Sequence, residues 1–163
     1  MAKHTLIIVL ETQLRLLEEF FSLLHRETRE LSDIHLEAMA EINSQKGHIA
    51  ARIEAHSTLL RKEIAEAASR EGLSPVAKLG EVADAFRQKG TRDVSRLHEG
   101  LNIVTDRIRQ LISVNREIAE RFAASVTSSL QLLTRVINQA NTYSASGEYQ
   151  QRTSGAVLIN RKA

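Results

Sequence analysis

The sequence has no cysteine and no tryptophan, a single proline, and aromatic residues at only 4% of its 163 positions. Without cysteine there is no disulfide framework, no thiolate metal site and no thiol nucleophile. With so few aromatics, any core has to be assembled from Leu, Ile, Val and Ala. A strong excess of one charge is also missing. The 22 basic and 20 acidic residues leave a net +2 with the signs interspersed, so composition does not mark a nucleic-acid binder. Long apolar runs are absent. Leu6-Ile7-Ile8-Val9-Leu10 is stopped by Glu11, which is too short for the apolar core of a signal peptide, and nothing approaches the roughly 18–20 apolar residues of a membrane span. The expectation is a soluble cytoplasmic protein of one domain.

What is present reads as helix. Hydrophobic residues make up 42% and charged residues 26%, a balance that supports folding. Ile7, Leu10, Leu14, Leu17, Phe21, Leu24, Thr28 and Leu31 recur at spacings of three and four, which predicts a first helix at about 4–30. Ser32-Asp33 reads as an N-cap for a second helix at about 33–70, whose seam runs through Met39, Ile42, Ile49, Ile53 and Leu60. Two seam positions are polar. Lys46 can lay its methylenes along the seam with its ammonium in water, and His56 fits a satisfied, partly buried site.

Gly72-Leu73-Ser74-Pro75 punctuates the chain. Gly72 closes the second helix, Ser74 caps, and Pro75 opens a short third helix at about 75–88 with Val76, Leu79, Val82, Ala83 and Phe86 on one face. Lys89-Gly90-Thr91 breaks it. The longest seam runs from Val94 to Ala140 and predicts a fourth helix at about 93–140. Gly100 lies inside it as a candidate kink, and Asn115 occupies a seam position, either buried to set register or exposed without consequence. Periodicity stops after residue 140, so 141–163 reads as a flexible tail, interrupted by the apolar Val157-Leu158-Ile159. The fold class is all-α: an elongated antiparallel bundle of three long helices and one short helix, followed by that tail.

A bundle hosts many activities, so function has to come from a site. Catalytic signatures are missing. The six histidines show no i,i+4 pair and no Glu-x-x-His, the scattered glycines form no phosphate loop, and no G-x-S-x-G elbow occurs. No enzyme, cofactor or metal site is expected. No basic run or aromatic platform suggests nucleic acid.

The informative feature is a charge gap. From Phe122 to Gly147 the one charged residue is Arg135, where a chain with 26% charged residues would carry about seven. Val126, Leu130, Leu133, Val136 and Ile137 lie there among Ser125, Thr127, Ser128, Ser129 and Thr134. The fourth helix is also the longest, about 48 residues against about 27 and 38 for the first two, so an end of it can overhang by roughly 15 Å. The stripe is either a docking surface for another amphipathic helix or a seam covered by the first helix or by a second copy.

Several segments, in this order, resemble the FlgN family of bacterial flagellar export chaperones. They are the leucine-rich helix Leu14 to Leu24, the turn Leu31-Ser32-Asp33-Ile34, Lys46 ahead of Ile49 and Ile53, and Asn115 in the last long helix. Leu130-Gln131-Leu132-Leu133 follows, then the Tyr143-x-x-x-Gly147 spacing and the ending Leu158-Ile159-Asn160-Arg161-Lys162-Ala163. The resemblance implies a non-enzymatic cytoplasmic chaperone. It would hold the hook–filament junction proteins FlgK and FlgL and deliver them to the export gate component FlhA. It further implies that the C-terminal part binds cargo and that Tyr143 docks the gate; the charge-poor stripe of Val126, Leu130, Leu133, Val136 and Ile137 is then the expected cargo surface, with Val157, Leu158 and Ile159 folding over it. The alternative is a non-enzymatic homodimer or adaptor whose charge-poor stripe is its own seam.

Overall fold

A computed structural model describes residues 2–140, with side chains described over residues 4–137. Among the described residues it is all-α, with four helices: α1 (Ala2–Asp33), α2 (Leu36–Arg70), α3 (Leu79–Gln88) and α4 (Asp93–Ala140). The chain divides into two units, residues 1–119 and residues 120–163. Of the second, α4 from residue 120 to residue 140 is described.

Contacts within the first unit fix the direction of its helices. Arg52 donates to Glu19, Lys46 to Glu27 and Arg26 to Gln45, so α2 runs antiparallel to α1. Leu14 meets the backbone at Gly100 while Leu24 and Thr28 meet Asn115, so α4 runs parallel to α1. One end of the unit is closed by a cluster from all four helices, with Leu6, Leu10, Ala68, Val82 and Val94 almost wholly shielded from solvent. A second cluster joins Leu24 of α1 to Val104 and Ile108 of α4. Apolar side chains at three- and four-residue spacing put one stripe of each helix against its neighbours, and burial of such stripes stabilises helices more than intrinsic propensity does. The helix continues through Gly100, where an added Cβ would stand 3.4 Å from Leu14 Cδ2.

Three helix ends use one backbone motif, in which a left-handed residue is followed by an amide that bonds five residues back. Leu73 N–H reaches Ala68 O at 2.9 Å after Gly72, and Thr91 N–H reaches Phe86 O at 2.9 Å after Gly90. His35 N–H reaches Glu30 O at 3.0 Å after Ile34, whose φ is 58°. Glycine suits this conformation because it lacks Cβ, whereas a β-branched residue there is strained by roughly 1–2 kcal/mol. The His35 ring also contacts Glu30 Oε2 at 2.8 Å, a polar link where the motif usually carries an apolar one. Ile34→Gly is therefore expected to stabilise the protein by about 1 kcal/mol after allowing for the greater freedom of glycine in the unfolded chain. A fall in thermal midpoint for that variant would contradict the strain.

Two expected boundaries shift. Ser32-Asp33 does not cap α2, because α1 continues through Asp33 and Ser32 Oγ donates back to Thr28 O at 2.8 Å. Such a back-bond uses the hydroxyl that would have capped the next helix. His35 holds the N-cap position instead. Nor do Ser74 and Pro75 open α3. Ala77 N–H donates to Ser74 O at 2.9 Å, forming a turn with Ser at its first position and Pro at its second, an arrangement both residues favour. Val76 consequently faces solvent, 88% exposed, and is no part of the core. The α3 helix starts after Lys78, whose N–H donates to Glu81 Oε2 at 2.9 Å, half of a capping box. Lys89 pairs with Glu71 at 2.7 Å and ties the ends of α2 and α3 together.

Candidate functional site: an exposed apolar stripe on α4

The first unit holds its polar seam residues in place. Asn115 is 5% exposed. Its Nδ2 donates to Leu24 O at 3.0 Å and to Glu27 Oε2 at 2.9 Å, and its Oδ1 accepts from Thr28 Oγ1 at 2.6 Å. Lys46 donates to the other oxygen of Glu27. The Lys46 ammonium, expected in water, is instead paired and largely shielded, because Glu27 stands opposite it on α1. The layer thus links α1, α2 and α4 through one carboxylate. His56 Nε2 meets Val9 O at 2.9 Å, the satisfied polar site expected of it.

Beside this layer a groove of about 550 Å³ opens between α2 and α4, lined by Phe20, Leu24, Met39, Ala50, Ile112 and Ala119 among others. Glu27, Lys46, Asn115 and Arg116 interrupt its apolar wall. No sequence signal marked it, since it arises from the spacing of two helices that are distant in the chain.

The second unit differs. Of the fifteen large hydrophobic residues exposed among the described residues, seven fall between Phe122 and Ile137. Val126, Leu130, Leu133 and Ile137 succeed one another at four, three and four residues and so share a face of α4, with Val136 at its margin. They are 40–58% exposed, so the sequence-derived stripe exists as a surface rather than as an internal seam. Arg135 is two residues from both Leu133 and Ile137, which puts it on the opposite side of the helix. A run of apolar surface this concentrated makes this face of α4 the candidate site, as scattered residues such as Ile8 or Leu59 do not.

Comparison with protein-family models finds a match to the FlgN protein family over residues 1–151. The chain belongs to the FlgN family. This is a family of flagellar export chaperones, and the match extends through the whole described part of α4. Searches of curated proteins and of solved structures return no significant match. Among the described residues no three His, Asp or Glu side chains are grouped to hold a metal ion, and no helix is long and apolar enough to cross a membrane. Of the site residues expected from sequence, Val126, Leu130, Leu133, Val136 and Ile137 lie on α4. Tyr143, Val157, Leu158 and Ile159 lie outside the described residues.

Proposed function

We propose that this chain is a cytoplasmic chaperone that holds the C-terminal amphipathic helices of hook–filament junction proteins of the FlgK and FlgL type on the α4 stripe. It keeps those helices from associating early and hands them to the export gate component FlhA. The observation carrying the reading is the exposed face of Val126, Leu130, Leu133 and Ile137 in a chain of the FlgN family. Cargo helices that pack together after export need a substitute neighbour beforehand, and an unoccupied apolar helix face provides one. In this reading Val157, Leu158 and Ile159 close over the bound helix, and Tyr143 contacts the gate.

Calorimetric titration of the full chain with the C-terminal segment of such a cargo tests the reading, and saturable one-to-one binding is expected. Absence of binding, together with a stable dimer in sedimentation, would assign the stripe to self-association. Tyr143→Ala is expected to retain cargo affinity and lose at least about tenfold in affinity for FlhA, about 1.4 kcal/mol. Unchanged FlhA retention would remove Tyr143 from gate docking.

A further inference from the structure

Among the described residues from 122 to 137, the borders of the α4 stripe carry no charge. By helical spacing Ala123, Thr127 and Thr134 lie along one edge, and Ser125 and Ser129 along the other. Thr127 Oγ1 donates to Ala123 O and Thr134 Oγ1 to Leu130 O, each at 2.9 Å, so both hydroxyl protons are already used within the helix. Arg135, the sole charged residue from 122 to 137, is on the far side. The stripe is therefore apolar at its centre and electrically blank at both margins.

Paired helices commonly select partner and orientation through charges beside the seam. On α4 itself, between residues 122 and 137, this face offers none. A charged side chain arriving at its margin would give up water without meeting an opposite charge, which is unfavourable. Resting on the docking role proposed for this stripe, we infer that its occupant is an amphipathic helix whose seam-flanking positions are themselves uncharged, of the Ser, Thr, Asn, Gln or Ala kind. The site excludes partners by the dehydration of their charges and reads the apolar shape of those that remain. Binding is consequently insensitive to salt, and helices of different sequence are accepted provided their margins are neutral.

Two synthetic helical peptides of about 20 residues with one shared Leu/Ile seam test this, one flanked by Ser and Gln, the other by Glu, each titrated into the full chain at about 50 mM and about 500 mM salt. The neutral peptide is expected to bind with less than about twofold change between the two salts, and the Glu-flanked peptide at least about tenfold more weakly at both. Placing lysines at the margin by Ser129→Lys with Thr134→Lys, both exposed positions, is expected to recover the Glu-flanked peptide and make its binding salt-dependent. Equal affinity of the original chain for both peptides would overturn the selection rule and leave the docking site standing. Binding that Leu133→Asp does not weaken would remove the docking site itself. A stable dimer that neither peptide displaces would give the face to a second copy and overturn both.

Discussion

Leu133→Asp is expected to weaken capture of a cargo helix by about 100-fold or more while the far-ultraviolet circular dichroism and thermal midpoint stay close to those of the parent chain. The two halves of this expectation have separate causes. In the free protein Leu133 is more than half exposed on α4, so its replacement opens no cavity. Substitutions at such positions usually change stability by no more than about 0.5 kcal/mol, apart from a small loss of helix propensity. In the complex proposed above, the same position would be covered by the arriving helix. A carboxylate there would lose water without a partner on α4, since none of the described residues flanking the stripe between 122 and 137 is basic, and a penalty of about 2.7 kcal/mol already gives a 100-fold loss. Calorimetry measures the first quantity and thermal melting the second. Unaltered cargo affinity would rule out the stripe, and collapse of helicity would show that Leu133 is packed in solution.

Asn115→Leu should act in the opposite sense, lowering stability without touching the stripe. The side chain is similar in size but accepts and donates nothing. Thr28 Oγ1 keeps its bond to Leu24 O at 3.0 Å, and Leu24 O keeps that donor. The loss falls on Glu27, whose Oε2 forfeits its 2.9 Å bond from Asn115 Nδ2 while its side chain is only 13% exposed. A shielded carboxylate oxygen left short of a donor costs about 2 kcal/mol, or roughly 5 °C in thermal midpoint for a chain of this size. Because Glu27 also binds Lys46, the effects of Asn115→Leu and Lys46→Met should not be additive, and a double-mutant cycle should show coupling above about 0.5 kcal/mol. Additive losses would mean that the two bonds act independently. An unchanged midpoint would mean that the layer sets register without net stabilisation, as buried polar groups do in some coiled coils.

Much of this architecture was legible in the residue pattern. The heptad-like spacing of Leu10, Leu14, Leu17 and Leu24, and of Val94 through Ile137, announces long helices because burial of a continuous face dominates helix formation in proteins. The start of α4 at Asp93 follows from that periodicity. Boundaries set by competing local hydrogen bonds were less legible. Ser32 and Ser74 each had two ways to use a hydroxyl or a turn, and spacing alone does not choose between a cap and a back-bond or between a helix start and a turn. Ile34 gave no warning of a left-handed conformation, because composition at that position argues against it. The Asn115, Glu27 and Lys46 layer was partly legible: the polar seam positions stand out, but their common partner lies on another helix. For the stripe, the missing charges between Phe122 and Gly147 were visible, whereas its exposure depends on which helices come alongside, a property of the folded chain.

The parallel pairing of α1 with α4 also bears on how the molecule is made. Thr28 and Leu24 find Asn115 at separations of 87 and 91 residues, while Glu27 meets Lys46 after only 19. On the ribosome the α1–α2 hairpin can close early, yet its remaining apolar side stays bare until Asn115 has cleared the exit tunnel. Nascent chains thus pass through an interval in which Leu6, Leu10 and Leu24 have no α4 to pack against. A member of a chaperone family spends part of its own synthesis with helices that still await their partners.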